Sequence, residues 1–293
     1  MRSSACVAAC VCAVAGLGGS GAATAAAARS ASPLAVAFGT PLHGYISLPD
    51  GRVLATEDGG GTWRRVGTAP PLRALDAVSS GLLFGLSGRV LLRSRDGGRT
   101  WSRLHRFRAE GEVGPGAGAV EFVDRDHGWV SARGGPLYRT VDGGRRWTAA
   151  GPRCGRLDLY VGGFSFLDRR HGFAVCGGQP ATIMQHRTYL RTSDGGTTWH
   201  VVRAGIFDGY VTALAYVSTR VGFQAADRDG IRSVTGGRGA LFADDADDVA
   251  SMSWPSARVG YAVLFHGGLF RTADGGRTWR ATGPWGTGRL PPR

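Results

Sequence analysis

Carboxylates, histidines and cysteines are the side chains through which this chain could do chemistry, and their spacing limits what that chemistry is. Glutamate is rare, with only Glu57, Glu110, Glu112 and Glu121. Cleaving a glycosidic bond needs two carboxyl groups flanking it, one giving a proton and one attacking or activating water. Asp158, Asp208 and the run Asp244, Asp245, Asp247 and Asp248 fall in connecting segments, but no spacing pairs them as an acid and a base. The acidic run has oxygen ligands for Ca²⁺ yet lacks the fixed spacing and glycine of a calcium loop, so a solvated connector is the preferred reading. His127 and His171, and less closely His43, recur just before a glycine, which marks them as turn residues. No catalytic, metal or cofactor site is expected from these patterns.

Of five cysteines, Cys6, Cys10 and Cys12 lie within the first 28 residues, where Arg2 precedes an apolar run and small residues with A-x-A sites. That is the layout of a secretory signal peptide, too short to span a membrane. Residues 1–28 are expected to be removed from a secreted or extracytoplasmic protein with no membrane span in its mature part. No L-x-x-C precedes these cysteines, which weighs against a lipid anchor. Cys154 and Cys176 then remain, and two cysteines in an exported chain invite a disulfide; two buried free thiols are the alternative. All 35 basic residues are arginine, and the net charge is +13. A basic surface suits a protein or an acidic envelope polymer as partner. Nucleic acid is not expected, since no binding motif accompanies the charge and export argues against it.

The elements that position these residues are announced by a repeat. TEDGGGTW at 56–63, SRDGGRTW at 94–101, TVDGGRRW at 140–147, TSDGGTTW at 192–199 and TADGGRTW at 272–279 share the pattern [ST]-x-D-G-G-x-[TR]-W. Asp58, Asp96, Asp142, Asp194 and Asp274 can accept hydrogen bonds from following N–H groups, and the paired glycines take the positive φ of a tight turn. Trp63, Trp101, Trp147, Trp199 and Trp279 open the returning strand and bury a large ring. An eroded copy runs from Ser233 to Ala240, with Thr235 in place of Asp and Ala240 in place of Trp. Between the boxes recurs an apolar strand ending in an aromatic, a polar turn, then glycine and a second aromatic, as in VEFVDRDHGWVSA from Val120. Together these make a unit of four short strands, and a period near 40 residues indicates an all-β fold, a single β-propeller. Six four-stranded blades over residues 34–284 account for the boxes. A seventh is left open within Arg106–Ala119 or Gly177–Tyr189. Each blade is contiguous in sequence, so the ring must close by packing the sixth on the first. The tail 285–293 either helps that seam through Trp285 or is disordered, and a monomer is expected.

The boxes and the aromatic-glycine hairpins resemble the Asp-box (BNR) repeat propellers, a group that includes sialidases, sortilin-like receptors and photosystem II assembly/stability factors. A contiguous small propeller behind a signal peptide looks most like the photosystem assembly-factor type, in which the propeller is a non-catalytic protein-binding or assembly scaffold. The alternative implied by the resemblance is a sialidase-like glycosidase or a glycan-binding propeller. A sialidase-like site would need an arginine cluster, a tyrosine nucleophile activated by a glutamate, and an aspartate, all on the connector face. The four glutamates fall elsewhere, and RLPP occurs only at the C-terminus. Within each blade the first-to-second and third-to-fourth strand turns share a face. On it Arg125, Arg169, Arg170, Arg220 and Arg258 are the partner-binding candidates, against the plainer reading of solvated turn residues paired with local aspartates. Arg93, Arg139, Arg191, Arg232 and Arg271, which precede five boxes, are expected to ring the perimeter.

Overall fold

The computed structural model describes residues 32–108, 118–132, 135–152, 154, 158–178, 184–227, 230–234, 249–265 and 267–285, with 158 and 159 described by backbone only. Residues 1–28, expected to be a signal peptide, Glu110, Glu112, the eroded box from Thr235 on, the acidic run and the tail after Trp285 lie outside these residues, as does the side chain of Asp158.

Six sheets follow one another along the chain as six blades. Blade 1 is β1 (Ala35–Phe38), β2 (Gly44–Ser47), β3 (Arg52–Thr56) and β4 (Arg64–Thr68); blade 2 is β5 (Ala74–Ala77), β6 (Leu83–Ser87), β7 (Val90–Ser94) and β8 (Ser102–Arg106). Blade 3 is β9 (Ala119–Phe122), β10 (Gly128–Ser131), β11 (Leu137–Thr140) and β12 (Thr148–Ala149); blade 4 is β13 (Asp158–Phe166), β14 (Gly172–Gly178), β15 (Met184–Thr192) and β16 (His200–Asp208). Blade 5 shows β17 (Val211–Ser218), β18 (Val221–Ala226) and β19 (Gly230–Ser233) among the described residues; blade 6 is β20 (Val249–Ser253), β21 (Gly260–Leu264), β22 (Leu269–Thr272) and β23 (Arg280–Ala281). All pairings are antiparallel between neighbours in sequence. The segments left open for a seventh blade are largely occupied by β14 and β15, or too short to hold four strands.

The apolar core is divided among the seams between blades. One cluster lies at each of the six, for example Phe84, Leu86, Phe122 and Val130 between blades 2 and 3. At five seams the aromatic of a second strand stacks flat on the aromatic closing the first strand of the next blade. The pairs are Phe84–Phe122, Trp129–Phe166, Phe173–Tyr216, Phe223–Trp254 and, across the ends of the chain, Tyr261–Phe38, with centroids 3.5–3.7 Å apart. That ring lies across the glycine opening the second strand of its own blade, so a Cβ at Gly44, Gly128 or Gly172 would enter the ring. The recurring aromatic and glycine are thus one packing unit. Blade 2 shows the compensated exchange: Ala77 replaces the aromatic, and Leu83 stands opposite it where the others have glycine.

Each box is a closed local network. In the second, Ser94 Oγ donates to Asp96 Oδ1 at 2.8 Å and accepts from Gly98 N at 2.8 Å. Asp96 also accepts from Thr100 N at 2.9 Å and Thr100 Oγ1 at 2.6 Å, and Trp101 Nε1 donates to Gly98 O at 3.1 Å. The box glycines take φ between 69° and 94°, the left-handed region that glycine enters without strain. In the third box Arg146 replaces the second threonine, and Asp142 instead accepts two backbone N–H groups, from Arg145 and Arg146.

Cys154 and Cys176 are joined by a disulfide in blade 4, with Cα atoms 5.7 Å apart. Cys176 stands opposite Val161, where a bulge between Val161 and Gly163 shifts the register by one residue.

Candidate functional site

The turn face is fixed by main-chain bonds from each intact box to the first turn of its own blade: Gly59 N to Leu42 O, Gly97 N to Gly81 O, Gly143 N to Asp126 O, Gly195 N to Arg170 O and Gly275 N to Arg258 O, at 2.8–3.1 Å. The five candidate arginines therefore stand on the same face as the boxes, at the first turns of four successive blades, 3 to 6.

Their surroundings differ. Arg125 pairs with Asp126 at 3.1 Å, and Arg169 reaches from blade 4 to Asp124 of blade 3 at 2.7 Å, with side-chain exposures of 82% and 64%. Asp124 also accepts from His127 Nδ1. Burial works against its charge, but the hydrogen bonds from His127, Asp126 N and Arg169 win and hold the carboxyl well below the usual range. Arg170 donates to Ser193 O at 3.2 Å. For the exposed Arg220 and Arg258 no side-chain hydrogen bond or ion pair is found among the described residues.

Three of the arginines expected around the perimeter are not there. Arg93 Nη1 reaches Gly143 O in the next box at 3.4 Å, Arg139 Nη1 reaches Asp194 O at 3.4 Å, and Arg271 Nε donates to Tyr261 Oη, which itself donates to Gly59 O of blade 1. They tie one blade to the box of the next, because a third-strand side chain pointing across the seam meets backbone carbonyls before it meets water. Arg191 and Arg232 are exposed.

On the connector side, Asp158 begins the innermost strand of blade 4 and Asp208 ends the outermost, with β14 and β15 between them. Three strand spacings put their backbones roughly 14 Å apart across the sheet. Two carboxyls acting on one glycosidic bond stand about 5–9.5 Å apart. The structure does not bring this pair together.

The inner strands β1, β5, β9, β13, β17 and β20 line a cavity of about 280 Å³ on the propeller axis. Two carboxylates that the sequence does not flag as a site face it, Asp76 on β5 and Glu121 on β9. An inner strand is a sheet edge, so it carries N–H groups with no ladder partner. Asp76 Oδ2 accepts Phe122 N of the next blade at 2.8 Å, and Glu121 Oε2 accepts Phe166 N of the blade after at 3.0 Å. Ser165 Oγ donates to Glu121 and accepts Tyr216 N at 3.0 Å, while Ser253 Oγ accepts Phe38 N at 2.9 Å across the closing seam. One repeat position, just before the inner-strand aromatic, thus caps the following blade at four of six seams. Ala37 and Ala215 occupy it at the other two. The polar residue at this register in otherwise apolar strands, as in LDAV and VEFV, is the signal that could have found them.

Desolvation drives both carboxyls toward the neutral form. Asp76 is pushed up to about 7, against the pull of the Phe122 N–H, and Glu121 is raised by burial and by the charge of Asp76. Among the described residues no group of three or more His, Cys, Asp or Glu side chains is placed to hold a metal ion, and no helix is long and apolar enough to cross a membrane.

Comparison with known proteins finds a family that the first half of the chain resembles. The family model described as photosynthesis system II assembly factor YCF48 matches residues 24–150. The photosystem II assembly lipoprotein Ycf48 of Synechococcus sp. (strain CC9902) is 29% identical over 128 residues, 41% of this chain and 37% of that relative's length. The chain is thus similar to photosystem II assembly factors over less than half of its length. The chain shares its fold with YCF48 bound to a D1 peptide (TM-score 0.53, 15% identity, 89% of this chain and 84% of that one). It also shares it with the GH74 xyloglucanase from Xanthomonas campestris (TM-score 0.51, 16% identity, 86% and 45%). At these identities the solved structures speak for the fold alone.

Proposed function

We propose that the chain is an exported, non-catalytic propeller that serves as a protein-binding or assembly scaffold, docking an acidic segment of its partner on the turn face. The observation that carries this reading is the arc of arginines over four successive blades, in which Arg220 and Arg258 stand exposed without a described side-chain partner. Guanidinium groups on rigid turns suit bidentate contact with carboxylates. Arg125 and Arg169 are held by exposed ion pairs worth about 0–1 kcal/mol, so they exchange at little cost when a partner brings its own acids. The likeness to YCF48, one of whose solved structures holds a D1 peptide, supports a peptide-binding rather than a hydrolytic role. The separation of Asp158 and Asp208, and the capping work done by Asp76 and Glu121, argue against a glycosidase.

The test replaces Arg220 and Arg258 together by Ala and measures partner capture from envelope extracts as ionic strength is varied. A loss of about tenfold or more in affinity, with a shallower salt dependence, is expected from removing two phosphate- or carboxylate-type contacts. Unchanged capture would remove the turn face as the dock. Incubation with glycosides should give no turnover, and turnover lost on Asp208→Ala would favour the hydrolase.

A further inference from the structure

The outer edge of blade 4 differs from every other described edge. β16 runs nine residues, His200–Asp208, whereas β4 and β8 have five and β12 and β23 have two. It is the last strand of its sheet, so one side of its backbone has no partner among the described residues. Val201, Val202 and Ile206 are 64%, 60% and 66% exposed, the three most exposed large apolar side chains found among the described residues.

Long, apolar edges are what natural sheets avoid, by shortening the edge or by placing proline or charge along it. Four of the six blades use the first device. β16 has no proline, and its single internal charge, Arg203, lies over the ring of Phe207 at 4.6 Å. A bulge sets Val202 aside between the pairs Leu190–Val201 and Tyr189–Arg203, but Arg203 to Asp208 is regular against Tyr189 to Met184. An unpaired edge with a regular ladder behind it is a template for another strand.

We propose that β16 pairs antiparallel with β16 of a second copy of this chain, joining two propellers through one continuous eight-stranded sheet. The strand's own polarity of composition fits it to a second copy of itself. Its first half is basic and β-branched, with His200, Val201, Val202 and Arg203; its second half is Ile206, Phe207 and Asp208. Antiparallel pairing about the middle of the strand lays each valine pair against Ile206 and Phe207 and brings Asp208 to the basic half of the partner, twice over by symmetry. Opposite charges and apolar pairs facing across a ladder stabilise it, and like charges destabilise it. The self-pairing satisfies both halves, and it uses a rim three strands away from the channel.

The test is light scattering of the mature protein, over concentrations up to about 100 μM, where a contact of μM strength is saturated. A dimer is expected. Ile206→Lys should raise its dissociation constant about a hundredfold, since two apolar contacts per dimer become buried ammonium groups; at concentrations low enough that both proteins are monomeric, its melting temperature should equal the wild-type value, because the side chain is solvent-exposed in one copy. Asp208→Lys alone, and His200→Asp with Arg203→Asp, should each weaken self-association about tenfold through facing like charges. Mixed one to one, these two charge variants should recover a heterodimer, which non-specific apolar sticking would not do. A wild-type chain that remains monomeric, a dimer indifferent to Ile206→Lys, or charge variants that fail to rescue each other would overturn the proposal. A monomer that captures an extended peptide of another protein through β16 would likewise overturn it.

Discussion

Asp96 and Asp76 belong to the same blade, and their surroundings could hardly differ more. Asp96 sits on a solvent-facing turn, and the hydroxyl and N–H of Thr100 with the hydroxyl of Ser94 bring it down to about 2. Asp76 faces the channel, and desolvation takes it up to about 7 against the main-chain N–H groups of Phe122 and Ala77. The first is held by hydrogen bonds to its charged form, the second is starved of water and stays mostly protonated below neutrality. The boxes shape single turns from within eight residues. The channel carboxyls work between blades, and their environment exists only once the ring has closed.

If the between-blade devices are the more consequential, breaking one should cost more than breaking a box. The largest effect of all is expected from a third kind of link, the covalent one inside blade 4, on Cys154→Ser with Cys176→Ser. In the chain-entropy description the 22-residue loop contributes ~3 kcal/mol, read as a shift in urea midpoint between the intact and the cysteine-free protein. Next comes Glu121→Ala, which orphans Phe166 N and one Ser165 contact; a loss of about 1–3 kcal/mol is expected, and Glu121→Gln should recover most of it by restoring an acceptor.

Asp76→Asn sharpens the contrast through pH. Because the folded-state pKa is raised, the folded protein holds a proton that the unfolded chain releases, so wild-type stability falls as pH rises from about 4 to about 7 and is level above. Asn keeps the acceptor for Phe122 N and removes the titration, so the variant should gain on the wild type across that window by on the order of 2 kcal/mol. A difference that does not change between pH 4 and 8 would show that the channel leaves Asp76 fully hydrated. The smallest effect belongs to Asp96→Asn. The pKa of Asp96 is depressed, so its contribution is present above about 4 and is lost as pH falls toward 2. The variant should differ from the wild type at neutral pH and converge with it in acid, as followed by tryptophan fluorescence.

The same distinction decides what the sequence could reveal. The box is a local code whose donors and acceptors lie within eight residues, so five copies exposed both the turn and the repeat. The aromatic-glycine pattern was legible for a similar reason, since ring and glycine face each other across one hairpin, as Phe122 and Gly128 do. Six contiguous blades follow from counting these units. Asp76 and Glu121 passed unnoticed because their partners are amides 45 or 46 residues away, in the neighbouring blade. Arg93 and Arg139 were placed at the rim for want of the same knowledge: an arginine before a box reads as exposed until the next blade's carbonyls come within reach. The bulge in β13, set by the close approach of Gly162 and Gly163 to Val211 and Leu214, likewise has no local signature.

The seam between blades 6 and 1 has a burden that no other seam bears. Consecutive blades are tethered by short connectors, which keep each neighbour at high effective concentration before any contact forms. Blades 6 and 1 meet across 215 residues, as Val36 N on Ser251 Oγ does, and bringing such distant points together costs about 5 kcal/mol of chain entropy by loop-closure scaling. The fastenings are correspondingly dense. Phe38 stacks on Tyr261, whose hydroxyl reaches Pro41 O at 2.8 Å, Thr282 Oγ1 holds Gly60 O at 2.8 Å, and Trp285 stands edge-on to Trp63 at 6.0 Å. The seam between blades 1 and 2, tethered by its connector, lacks both the aromatic stack and the inner-strand cap, with Ala77 and Ala37 in those places. The ring is a clasped band rather than a uniform one, and new chain ends cut between blades 1 and 2 would ask a seam without the stack and the cap to do the work of the clasp.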